Sequence, residues 1–189
     1  MTELASQNQL RMSFTRWALV CVPLLIFLGS LSGLLVNSGN QNRWYMLLSK
    51  PSVVPPGWVF GAVWTLLYGL MGLALATILD ARRAPNRGRA LALFGVQLVL
   101  NLAWSPVFFA LHMAHFAVFL LVMILVAAIM TCYAFGQIRA RAAWLLVPYL
   151  VWLSFATVLA YRIDQLNPNA GHLGKPAGIA HITGSATGD

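Results

Sequence analysis

The sequence predicts an all-α fold, an integral membrane bundle of five transmembrane helices. Two observations carry that expectation. The 189 residues are 60% hydrophobic and only 8% charged, whereas a soluble domain usually carries about 25% charged residues. Five apolar stretches, at 17–36, 57–79, 90–110, 116–135 and 143–162, are each close to the roughly 20 residues a helix needs to cross the hydrocarbon core. Arg162, at the last boundary, is the sole Asp, Glu, Lys or Arg within them. Residues 1–16 read as a polar N-terminal extension and 17–162 as the five-span domain. Residues 163–189, rich in Gly and small side chains, read as a flexible tail.

The first span is too long for a cleavable signal, whose apolar core usually runs about 7–15 residues. It carries Gly29 and Gly33, and small residues four apart let helix backbones approach closely in lipid. That pattern suits packing inside the bundle or a homodimer face. Gly69, Gly72 and Ala76 on the second span, and Ala92 and Gly95 on the third, offer similar flat faces. Residues 37–56 show no span pattern, and loops longer than about 12–15 residues are uncommon and often functional. Pro51, Pro55 and Pro56 stiffen this loop. It reads as a semi-rigid lid over one mouth of the bundle; the alternative is a simple connector with Trp44 and Tyr45 in the headgroup belt.

Inside the spans, aromatic and polar residues recur at helical spacing. Trp64, Tyr68 and Met71 share one face of the second span. Gln97, Asn101 and Ser105 share a face of the third, with Trp104 beside them. Tyr149, Trp152, Ala156 and Leu159 form a stripe on the fifth. At a rise of 1.5 Å per residue, Trp64, Trp104 and Trp152 lie roughly 10, 9 and 15 Å inside the face that carries the 37–56 loop. Polar groups at such depth face protein or a wet cavity. Several indoles at overlapping depth suggest a wall that receives a flat aromatic ligand.

Charge supplies the topology. The formal net charge of +8 comes from Lys and Arg at span ends and in loops. Arg11, Arg16, Arg82, Arg83, Arg87, Arg89, Arg139 and Arg141 fall on one side of a five-span topology. Arg43, Lys50, Arg162 and Lys175 fall on the other. The positive-inside rule then puts the N-terminus in the cytoplasm, and this placement argues against a nucleic-acid role. The four acidic residues, Glu3, Asp80, Asp164 and Asp189, lie outside the spans, which disfavours a proton-coupled transporter. His112 and His115 could ligate a metal or serve as interfacial polar groups. Cys21 and Cys132 read as small buried hydrophobes. No metal site, cofactor or hydrolytic constellation is expected.

Three segments resemble a known family in the order it places them: WYMLLSKPSVVPPGWVFGAVWTLLYGLMG at 44–72, NLAWSPVFF at 101–109 and VPYLVWLSFAT at 147–157. Together they are similar to the translocator protein / tryptophan-rich sensory protein family, over roughly residues 15 to 162. The resemblance implies a five-helix membrane protein that binds porphyrins such as protoporphyrin IX and other planar hydrophobes, as a receptor, sensor or transporter-like protein. It points to Trp44, Trp58, Trp64, Asn101, Trp104, Phe116, Trp152, Ala156 and Leu159 as pocket residues, beside Tyr68 from the helical stripe. Phe116 stands where relatives can carry Trp. A porphyrin carries two propionates, for which Arg43 and Lys50 at the mouth are the candidate partners. The family's sterol motif is broken here, because Tyr161 and Arg162 are adjacent with no residue between them. The resemblance also allows a light- and oxygen-dependent porphyrin-degrading enzyme using Trp64 and Trp152, or a dimeric membrane scaffold. A bacterial cell membrane is the expected location.

Overall fold

The computed structural model describes residues 7–173. Five long helices are apolar enough to cross a membrane: α1 (Gln7–Leu34), α3 (Gly57–Asp80), α4 (Arg87–Ser105), α5 (Ala114–Ile138) and α6 (Ala140–Leu166). A short helix, α2 (Arg43–Leu47), lies in the loop between α1 and α3. Packing neighbours place the five spans in the ring order α1, α3, α6, α5, α4. Large apolar side chains such as Leu19, Phe27, Leu66, Val99, Phe119 and Val151 are exposed on the outer faces, as lipid contact requires.

Lipid tails are as apolar as leucine, so close helix packing must come from shape. The α1–α3 seam shows how. A Cβ built at Gly72 would lie 2.7 Å from the Cα of Val22, and one at Gly29 would fall 2.0 Å from the Tyr68 ring. The Gly29 and Gly33 pattern is therefore used within the chain, Gly29 against α3 and Gly33 against Ser38 of the loop.

A proline shapes the end of α4. Pro106 has no N–H to give to the carbonyl of Leu102, and the hydroxyl of Ser32 on α1 donates to that carbonyl at 2.7 Å. The chain continues through a wide π-type turn, Pro106–Ala110, in which Leu111 N–H donates to Pro106 O. His112 then reverses it with φ of +57°. At the opposite end, the Arg87 guanidinium donates to the carbonyls of Ile78 and Leu79 and closes the C-terminus of α3.

Three boundaries differ from the sequence reading. Helix α1 begins at Gln7 rather than near residue 17, so 7–16 belong to it; residues 1–6 lie outside the described set. Helix α6 continues to Leu166, past Arg162. Residues 163–173 of the expected tail are folded back onto the loop, with Ile163, Asn167 and Ala170 buried. The remainder, 174–189, lies outside the described residues.

Candidate ligand-binding site

A cavity of about 970 Å³ lies between the five spans beneath the 37–56 loop, near the top of the range of about 300–1,000 Å³ for small-molecule sites. Indole and phenol rings form its walls. Trp64 and Tyr68 of α3 meet at 5.6 Å, and Trp64 also approaches Tyr149 edge-on at 6.4 Å. Trp104 of α4 stacks on Phe108 at 5.1 Å, and its Nε1–H donates to Ala117 O on α5 at 3.2 Å. That bond and the stack on Phe108 hold the ring in place at the cavity wall. Trp152 of α6 packs on Phe60 at 5.7 Å and Phe155 at 5.3 Å. Its Nε1–H is buried and has no hydrogen-bond partner among the described residues.

The polar stripe of α4 forms a buried chain of hydrogen bonds at the cavity edge. The hydroxyl of Tyr68 donates to Asn101 Oδ1 at 2.8 Å, Asn101 Nδ2 donates to the Tyr149 hydroxyl, and that hydroxyl donates to Gln97 Oε1 at 2.9 Å. Three spans are thus joined through one amide. Gln97 lies behind Tyr149, outside the lining, so Asn101 and Tyr68 are the members that reach the cavity.

The loop is a fastened cover. Asn42 caps α2 by accepting from Tyr45 N–H, while its Nδ2 donates to the carbonyls of Val36 and Phe109. Trp44 is 3% exposed; its Nε1–H donates to Ala170 O at 2.8 Å and its ring stacks on His112 at 4.6 Å. Asn167 accepts from Ser49 N–H and donates to Ser49 O and Ile163 O. Burial of Trp44 and Tyr45 rules out a headgroup-belt position for both, and it pushes the Tyr45 hydroxyl above its usual pKa. Replacing Asn167 with alanine removes both bonds to Ser49, each worth about 1 kcal/mol net. Amide exchange across 43–50 is then expected to accelerate by about thirtyfold, read by hydrogen–deuterium exchange mass spectrometry; unchanged uptake would show that the cover is held elsewhere.

Of the residues singled out in the sequence, Trp58, Trp64, Tyr68, Asn101, Trp104, Trp152, Ala156 and Leu159 line the cavity, Trp58 at its rim and 75% exposed. Four do not. Trp44 sits behind the lining as an anchor of the cover. Phe116 is 46% exposed on the outer face of α5, tilted against Phe119, because the adjacent Ala117 takes the inward position. Arg43 is exposed and off the lining, and Lys50 places its ammonium 4.3 Å over the Tyr45 ring. None of the described lining residues is Asp, Glu, His, Lys or Arg. The polar lining residues that the cover contributes are the neutral Asn37, Ser38, Asn40 and Gln41. The histidines act separately, His112 against Trp44 and His115 paired with Asp164 at 3.0 Å. Sequence reasoning missed Tyr45, Phe108 and Phe109 as wall residues; Pro106 was the available signal that the chain here leaves regular helix.

The model of the TspO/MBR family matches residues 19–166. The chain belongs to this family. The tryptophan-rich protein TspO of Chlorobaculum tepidum is 37% identical over 150 residues, covering 79% of this chain and 94% of that one. The tryptophan-rich sensory protein of Cereibacter sphaeroides is 41% identical over 132 residues, 69% of this chain and 80% of that one. The human translocator protein is 39% identical over 136 residues, 68% and 78% respectively. The matched region contains every described residue of the cavity wall, and this TspO/MBR member is an integral membrane protein with five candidate spans.

Proposed function

We propose that this TspO/MBR member binds porphyrins, protoporphyrin IX among them, and other planar hydrophobes in the covered cavity, as a receptor, sensor or transporter-like protein. The observation that carries the reading is the approximately 970 Å³ cavity walled by Trp64, Trp104 and Trp152 with no charged lining residue. A flat macrocycle buries apolar area against such walls and gains ring contacts of about 0.5–1.5 kcal/mol each. Propionates would meet the neutral amides and hydroxyls of the cover rather than Arg43 or Lys50. Translocation and sensing, the roles in the relatives' names, both need such a reversible site. The arginine distribution supports a cytoplasmic N-terminus, and a bacterial cell membrane is the proposed setting.

The test is quenching of Trp emission by protoporphyrin IX in the dark. Saturable quenching is expected at micromolar ligand, weakened about tenfold, or 1.4 kcal/mol, in Trp64→Phe and Trp152→Phe. Linear quenching unchanged by both substitutions would mean partitioning into the detergent or bilayer and would remove the reading. A second reading, light- and oxygen-dependent porphyrin degradation with oxygen as the oxidant, is favoured by the contact of Trp64 with two tyrosines, which gives an oxidised indole a neighbouring phenol. It requires an irreversible absorbance change under light that disappears when either indole is replaced. A homodimer, if formed, would use a face other than Gly29 and Gly33; α4 offers Ala92 and Gly95, and a Cβ at Gly95 meets nothing within 4 Å.

A further inference from the structure

Helices α1 and α3 touch along only part of their length. Successive positions of α3 that turn toward α1 are Gly72, Tyr68, Thr65 and Gly61. The first two are in tight contact, Gly72 with the Val22 backbone and Tyr68 with Gly29. The next two are not. Gly61 and Thr65 are exposed, a Cβ at Gly61 would meet nothing within 4 Å, and the opposing Ser30 and Leu34 of α1 are exposed as well. All four also line the cavity. Beyond them the gap closes again, because Asn40 of the cover sits against Gly57, with Nδ2 3.0 Å from the position of a Cβ. The opening is therefore bounded at both ends, by Gly29 with Tyr68 below and by Asn40 with Gly57 above. From Gly57 to Tyr68 it spans about 16 Å along α3. Gly61 and Thr65 lie roughly 6 and 12 Å inside the span, at a depth where the surroundings are acyl chains.

The geometry points to this window between α1 and α3 as the route by which ligand reaches the cavity, directly from the bilayer and not from water past the cover. The inference rests on the porphyrin-binding reading above. Two features argue for the direction. The cover is fastened by Asn42 to Phe109, and by Trp44 and Ser49 to the 167–170 segment. The window has a glycine, two hydroxyl residues and one leucine at its edges, so a flat ring can pass edge-on without displacing a packed side chain. A planar hydrophobe is also concentrated in the membrane before it meets the protein.

The experiment is stopped-flow Trp quenching by protoporphyrin IX, in the dark, with the full chain in lipid nanodiscs. Gly61→Phe and Thr65→Trp narrow the window from two sides. Each is expected to slow association by about tenfold, as a gate does. A second measurement uses Asn167→Ala, which loosens the cover. Association unchanged in both window variants overturns the inference, and so does association that accelerates severalfold in Asn167→Ala. Failure of the underlying reading looks different: the unmodified chain then shows no saturable quenching at all.

Discussion

Gly72→Ala is expected to destabilise the bundle by about 3 kcal/mol, near the upper end for overpacking. The added methyl would stand 2.7 Å from Val22 Cα, 2.9 Å from Val22 N and 3.0 Å from Cys21 O. All three are backbone atoms, so no rotamer change relieves the clash and α1 as a whole must move away. Gly95→Ala is the matched control. Its methyl meets nothing within 4 Å, and alanine in a helix gains up to about 1 kcal/mol over glycine. Unfolding in graded SDS, followed by Trp emission, separates the two. Equal midpoints for both variants would show that the α1–α3 contact is not where the structure has it.

Asn101→Leu carries the second large effect, on binding as well as stability. Asn101 is the single acceptor for the Tyr68 hydroxyl and a donor to that of Tyr149. An apolar side chain leaves the Tyr68 hydroxyl without its partner, at about 1–3 kcal/mol. Tyr149 keeps Gln97. With Tyr68 no longer held, the Trp64 face loses its backing ring, and protoporphyrin IX affinity is expected to fall about tenfold. Adding Tyr68→Phe removes the orphaned hydroxyl. The double variant should recover most of the lost stability, because replacing both partners of a buried hydrogen bond is often nearly neutral. If the double variant is as unstable as the sum of the singles, the bond is not the cause.

The five spans were legible because each one presents lipid with a long apolar run, and hydropathy reports that directly. Helical spacing also grouped Trp64 with Tyr68, and Asn101 with Trp104, correctly onto inward faces. Spacing cannot say which of two neighbouring apolar residues turns inward, and Phe116 was assigned inward while Ala117 holds that place. The charge-based expectation for Arg43 and Lys50 failed for a related reason. Both occur on the correct side of the membrane, but side alone does not bring a cation to a cavity. The early start of α1 was hidden because 7–16 are polar enough to lie outside any apolar run while still continuing the helix. The tail was hidden more deeply. Asn167 and Ala170 sit among small and turn-forming residues that suggest disorder, and their partners Ser49 and Trp44 are 118 and 126 residues earlier.

That separation has a consequence for biosynthesis. The cover leaves the ribosome early, yet two of its anchors follow more than a hundred residues later, 118 for Asn167 and 126 for Ala170. At a synthesis rate of about 5–20 residues per second, the segment around Trp44 waits roughly 6 to 25 s for Ala170. Throughout that interval the cover has at most its bonds through Asn42 to Val36 and Phe109 to hold it. A fully fastened cover can exist only after Asn167 and Ala170 have left the ribosome. Chains shortened just before Asn167 would insert all five helices and still lack the bonds that tie Trp44 and Ser49 down.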